Sequence, residues 1–341
     1  MRPGRPYVLL STRDRRGGTV ILEIGSEKTA SAVPTREAVS RDPAAPVAFV
    51  LMAGGFSPPP LGVAAGCSVL DMHLTRRETV LDYWQHALAT LERAGVAGER
   101  LCLCGGSTPL PRSTLGVLRT IVDQSDYRGP AGALRDACER LGPGTTVIAA
   151  EAARCCTADL GQMLAYHYRS GADVTVARNS DESPAGIYIF ARPLLGVVPH
   201  AGFMDLKEQW LSKLVAEGRA VMVHDLPGAG AIPLRSRQEF LLAVRVCSGV
   251  VADDSGSLEP RVLDDRRRAG SVVCETASVA PDAVVVDSVV LGGARVGRGA
   301  LLARSIVGPG GVVHDGEQVI DSVVGPSGVT SEQGLAEEAR R

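Results

Sequence analysis

Lysine is almost missing from this 341-residue chain. Lys28, Lys207 and Lys213 are the only three, so 33 of the 36 cationic side chains are arginine. Chemistry that needs a lysine has very few places to put it. An excess of either charge is also lacking: 36 Lys and Arg stand against 38 Asp and Glu, a formal charge of -2. That balance argues against nucleic-acid phosphate or an anionic membrane as a general partner. No window approaches the roughly 18 uninterrupted apolar residues of a membrane span, and the N-terminal stretch has no signal-peptide core of adequate length. A cytoplasmic protein is expected. The eight cysteines include no C-x-x-C pair, which speaks against a disulfide scaffold or a zinc site and for reduced, buried thiols.

What is present is a core-forming composition, 45% hydrophobic, in a chain long enough for one large α/β domain with an appendage. Residues 1–45 read as a hairpin and linker, with β-like runs at Tyr7–Ser11 and Thr19–Ile24 around a polar turn. From residue 46 to about 250, strand-length apolar runs alternate with segments of helical period, the mark of βα units on a largely parallel sheet. Strands are expected at Val47–Met52, Arg100–Cys104, Thr145–Ala150, Asp173–Ala177, Gly186–Phe190 and Ala220–His224. Helices are expected at Thr79–Leu91, Thr114–Val122, Ala131–Leu141, Thr157–Ser170, Asp205–Glu217 and Ser236–Cys247. The pattern suits a doubly wound domain of about seven strands.

Residues 251–270, with Asp253, Asp254 and the run Asp264 to Arg268, have the composition of a linker. Beyond it the helical period vanishes. Ala277, Ala283, Ala294 and Ala300 are each followed two residues later by Val279, Val285, Val296 and Leu302, with six-residue steps inside each pair. Six residues per side is the signature of a parallel β-helix in which aliphatics point inward and small residues turn the corners. Residues 271–328 are assigned to it and 329–341 to a charged tail.

An apolar strand ending in Ala53-Gly54-Gly55, followed by a hexapeptide β-helix, resembles the nucleotide-sugar pyrophosphorylases, in particular the mannose-1-phosphate guanylyltransferase-like group. The resemblance covers about residues 46–328. It is carried by FVLMAGG at 49–55, RGPAGAL at 128–134, SGADVT at 170–175, AGIYIF at 185–190 and DLKEQ at 205–209. It implies a Rossmann-like doubly wound nucleotidyltransferase domain with a C-terminal left-handed parallel β-helix. Family enzymes join a sugar 1-phosphate to a nucleoside triphosphate and release pyrophosphate, with Mg²⁺ as cofactor. By the resemblance, Ala53, Gly54, Gly55, Arg128, Gly129, Ala131 and Gly132 would face a nucleotide. Gly186, Asp205 and Lys207 would lie on the sugar side, and Glu151 would stand at the first metal-ligand position.

The departures cluster where the reaction needs charge. After Gly55 the chain reads Phe56-Ser57-Pro58-Pro59-Pro60, and proline removes the N–H donors that a phosphate loop supplies. The loop arginine falls near Pro59, and no lysine lies between Lys28 and Lys207. The second metal aspartate falls near Pro233. Only residues 177–185 separate two strands where the family carries a Glu-Lys-Pro excursion. Losing one charge-stabilising contact typically costs about 10²–10³ in rate, and several are lost together.

Each candidate also has a plainer reading. Gly54 and Gly55 can simply close a strand, and the 128–132 segment can be a helix start capped by Ser125 or Asp126. Glu151 with Arg154 can be an exposed surface pair, Asp205 an N-cap, and Lys207 a surface cation. His167 reads as a surface or half-buried residue, and His314 as a turn residue although β-helix acyltransferases use such a histidine as a base. The leading expectation is therefore a catalytically degenerate nucleotidyltransferase-like protein that binds a nucleotide or nucleotide sugar. It would act with a second copy or a paralogous subunit through the β-helix. A working sugar-1-phosphate nucleotidyltransferase, with Lys207 as the candidate catalytic cation, and a ligand-free scaffold stay open beside it.

Overall fold

The structure, a computed structural model, describes residues 44–54, 60–106, 110–112, 118–123, 128–228, 230–248, 270–331 and 334–335, with the backbone of two short strands before them. Those strands, β1 (Ser11–Arg13) and β2 (Thr19–Ile21), pair antiparallel, so the hairpin exists but its first strand starts where the Tyr7–Ser11 run ends. Most of the expected linkers at 1–45 and 251–270 lies outside the described residues, as do Gly55 and the end of the tail.

The strands β3 (Val47–Met52), β4 (Gly98–Gly105), β5 (Arg119–Asp123), β6 (Thr146–Glu151), β8 (Val174–Arg178), β9 (Pro184–Ala191) and β10 (Val221–Asp225) form one sheet in the order β10-β8-β9-β6-β3-β4-β5. All neighbours are parallel except at β9, which runs antiparallel to both β6 and β8. A separate two-stranded ribbon pairs β7 (Arg154–Cys156) with β11 (Ala231–Pro233). Sequence periodicity misses this ribbon because its strands have three residues each, too short to show alternation.

Alternation along β3 sorts the core. Val47, Phe49 and Leu51 face one side, with Trp84 and Leu88 of α2 (Val80–Arg93), Met163 of α4 (Leu160–Ser170) and Phe240 of α6 (Arg237–Cys247). Ala48 and Val50 face the other, with Leu134 of α3 (Gly129–Ala137), Trp210 of the helical turns Leu206–Leu211 and Leu214 of α5 (Ser212–Ala216). Helices thus cover both faces, as near-continuous apolar strands require. The helix starts follow the sequence closely. Thr79 with Asp82 and Ser236 with Glu239 form capping boxes that open α2 and α6, Asp159 caps α4 and Asp205 caps the turns from Leu206, while α3 starts without a side-chain cap. No helix among the described residues is long and apolar enough to cross a membrane.

Two expectations are corrected. The helix expected at Thr114–Val122 is not there in its second half: Arg119–Asp123 is edge strand β5, paired with Leu101–Gly105. The β-branched Thr120, Ile121 and Val122 suit a pleated surface better than a helix. His167 is buried rather than at the surface, its Nδ1 2.8 Å from Thr175 Oγ1.

The C-terminal region consists of three parallel sheets that the chain visits in turn. Val272, Val289, Ile306 and Val323 are in register, as are Ser278, Arg295 and Val312, and Val284, Leu301 and Gln318. Each return therefore takes 17 residues, the separation along the Ser271, Ser288, Ser305, Ser322 ladder, in which each later backbone N–H donates to the preceding serine's Oγ. The six-residue step holds on two sides, and the third step is one shorter. Asp287, Arg304 and Asp321 close that side with φ of 47°, 46° and 51°. The shortened corner forces a left-handed residue, a conformation that Asp tolerates better than most. Interior positions are filled by Val285, Val296, Leu302, Val313 and Val319.

Candidate functional site

The carboxyl ends of β6 and β3 lie side by side, Met52 in register with Glu151, which sets the end of β3 beside Glu151. β7 leaves β6 at a sharp turn and brings Arg154 back onto Glu151. Arg154 Nε and Nη2 donate to Glu151 Oε2 at 3.1 and 2.8 Å, while Nη1 donates to the carbonyls of Pro184 and Ala231. The expected exposed pair is in fact buried, with the Arg154 side chain only 5% exposed and Glu151 25% exposed. Ribbon strand β11 then delivers a second guanidinium: Arg235 Nη2 donates to the same Glu151 Oε2 at 2.9 Å, from a side chain 59% exposed.

Gly186 makes this cluster possible. Its φ is +70°, and a Cβ there would stand 2.6 Å from Arg154 Nε and 2.8 Å from Glu151 Cδ. Gly186→Ala is expected to cost about 2–3 kcal/mol, from left-handed strain plus displacement of the ion pair. Urea midpoints measured at constant slope test this; a loss below about 0.5 kcal/mol would show that the pair does not fill that space.

Electrostatics follow the geometry. Burial works to raise the Glu151 carboxyl, but Arg154, Arg235 and Lys207 outweigh it and hold the group below its ordinary value. Burial lowers Lys207, with Glu151 pulling the other way and the two arginines adding to the fall. Buried Tyr188, on β9 beside this cluster, is raised by burial and by Glu151.

The nucleotide-side and sugar-side segments meet directly. Met204 N donates to Arg128 O at 3.0 Å and Ala131 N to Met204 O at 3.1 Å, a short ladder that seats Asp205 beside the start of α3. Gly129 has φ +68°, and a Cβ there would lie 2.6 Å from Met204 O. This contact uses up the anion cradle expected at the helix start: Pro130 has no N–H and Ala131 N is taken. Arg128 is turned back into an ion pair with Asp136, and Gly132 is small because a Cβ would lie 2.6 Å from Arg128 Cβ. Asp205 Oδ1 accepts from Lys207 N and Glu208 N at 2.7 and 2.8 Å, the N-cap role.

At the end of β3, Ala53 N donates to Leu103 O at 2.7 Å, and a Cβ on Gly54 would lie 1.8 Å from Gly105 N. Strand packing alone accounts for that glycine. Two residues missed by the motif reading hold the site in place. Arg235 falls within the segment where the resemblance places the second metal aspartate, a position that marks an acid and not a base. Buried Asn179 bonds both the N–H and the carbonyl of Ala231 through its amide, at 2.9 and 3.2 Å, and so anchors β11.

A divalent cation does not fit this donor set. It wants several oxygens, whereas Glu151 Oε2 already accepts from two guanidiniums and Lys207 adds a third positive charge to its surroundings. Among the described residues no group of three metal-ligating side chains occurs. In comparisons with known proteins, no family model matches the chain and no curated protein matches it.

Proposed function

We propose that this chain is a nucleotidyltransferase-like protein of the nucleotide-sugar pyrophosphorylase type that binds a nucleotide or nucleotide sugar without turning it over. The observation that carries the reading is the commitment of Glu151 to Arg154 and Arg235 at the place where the resemblance expects a metal carboxylate. The seven-stranded order with helices on both faces supports a Rossmann-like doubly wound domain. The three-sided return every 17 residues supports a left-handed parallel β-helix behind it. Exposed Val312, Ile320 and Val329, one on the last strand of each of the three C-terminal sheets, support end-on association with a second copy or a paralogous subunit there.

The test crosses the common nucleoside triphosphates with mannose, glucose and N-acetylglucosamine 1-phosphates in Mg²⁺, reading pyrophosphate release and thermal shift together. Upward shifts without turnover are expected, since a ligand that binds only the folded chain stabilises it by mass action. Turnover that vanishes in Glu151→Ala would establish a working transferase instead, and silence in both readouts would leave a scaffold.

A further inference from the structure

The cluster at the end of β6 holds more positive charge than it uses. Glu151 is one carboxylate facing Arg154, Arg235 and Lys207, and the other nearby acids spend oxygens on backbone N–H groups, Asp205 on those of Lys207 and Glu208 and Glu239 on those of Arg235 and Ser236. The three cations are not equivalent. Arg154 is buried, and all three of its guanidinium nitrogens are engaged, so it is the fixed counter-ion of Glu151. Arg235 is mostly exposed and offers one terminal nitrogen to Glu151; its other guanidinium nitrogens make no hydrogen bond among the described residues. Arg235 is the solvent-facing member of the cluster, so it can leave Glu151 at less cost than buried Arg154, which keeps the carboxylate neutralised. Lys207, half-buried and within Coulombic reach of the same groups, has no hydrogen bond from Nζ among the described residues and pays a desolvation cost that an incoming anion would relieve.

We infer that Arg235 and Lys207 bind the phosphoryl groups of a diphosphate directly, with no divalent cation, the guanidinium standing where the resemblance would place a metal. Arginine suits this because its planar fork meets two phosphate oxygens at once, and lysine adds a point charge. The inference rests on the nucleotide-binding reading for the biological ligand but not for its chemistry. The ligand class is a nucleoside diphosphate sugar or another diphosphate ester, recognised through its charged bridge. Arg154 acts as a positioning residue that holds Glu151 away from the ligand.

The experiment is calorimetric titration of the full chain with inorganic pyrophosphate and, separately, with GDP-mannose, each in excess EDTA and in excess MgCl₂. Pyrophosphate is expected to bind in EDTA at least as tightly as in Mg²⁺. Arg235→Ala and Lys207→Ala should each weaken it by roughly tenfold or more, the worth of a charge-assisted hydrogen bond. Arg295→Ala, on the remote C-terminal sheet, should leave it unchanged. Both site variants alter side chains that are not fully buried, and circular dichroism confirms folding. Pyrophosphate binding that requires Mg²⁺, that is absent, or that ignores both substitutions overturns the inference. If pyrophosphate behaves as expected but GDP-mannose and the nucleotides do not bind, the inference stands and the nucleotide reading falls. If nucleotides bind only with Mg²⁺, the reverse holds.

Discussion

Replacing Arg154 by alanine is expected to remove about 3–5 kcal/mol of unfolding free energy, because it leaves a largely buried carboxylate without its principal partner. The same change removes a donor from the carbonyls of Pro184 and Ala231, the second of which keeps its bond from Asn179 Nδ2. A control separates the two causes: the double variant Arg154→Met, Glu151→Leu should recover the charge part of the loss, since a buried pair replaced by apolar groups of similar volume is often neutral, and leave only the cost of the lost carbonyl contacts. The pH dependence has a definite sign. Glu151 is held below its unfolded value of about 4.3, so its contribution is complete above that pH and is lost as pH falls through the lower folded value. In Arg154→Ala only Arg235 and Lys207 oppose the effect of burial, so the carboxyl moves up and acid destabilisation begins at higher pH. Denaturant midpoints across the acid range measure this. Superimposable acid limbs for the native chain and the variant would show that Arg154 does not set the Glu151 charge.

Much of the frame was legible in the sequence because it rests on local rules. The strand Val47–Met52 ends where the continuous apolar run gives way to glycine, and the Thr79, Asp159, Asp205 and Ser236 caps open helices where polar residues precede an apolar period. The six-residue spacing in the C-terminal region was legible for the same reason. Its shortened third side was not, since residues 287, 304 and 321 share a backbone conformation and not a residue type. The candidate site was half legible. Motif position marked Glu151, Gly186, Asp205 and Lys207, and the fold does assemble them. Arg235 and Asn179 reach the site only through the β7–β11 ribbon, whose pairing spans about eighty residues and leaves no periodic trace. The cradle at 128–132 looked open in sequence because its occupant, the Met204 carbonyl, comes from a distant loop.

Substituting valine for Gly308 is expected to have the second large effect, by separating the C-terminal sheets from the α/β body. The two parts share one apolar core: Leu61, Ala65, Val69 and Val244 pack in the same cluster as Val272, Val289, Ile306 and Val323. The approach is close because α1 (Pro60–Ala65) lays its backbone on two glycines. A Cβ on Gly308 would lie 2.0 Å from Ala65 O, and one on Gly325 would lie 1.9 Å from Ala64 O. Neither glycine has positive φ, so the substitution carries no conformational strain of its own and its cost is purely the collision. Polar contacts reinforce the seam from α6. Buried Arg237 donates to the Arg304 carbonyl and pairs with Asp321 at 3.2 Å, and Arg245 pairs with Asp287 at 3.4 Å. These contacts reach the shortened corners, so the left-handed residues that close the coil also fix it to the body. Valine at 308 cannot be absorbed by a rotamer change, because the atom it meets is main chain, and a penalty above about 3 kcal/mol follows from overpacking against a rigid neighbour. Calorimetry of the native chain should give one cooperative transition and Gly308→Val two, the C-terminal sheets melting apart from the body. A single transition shifted by less than about 1 °C in the variant would mean that α1 does not rest on these glycines.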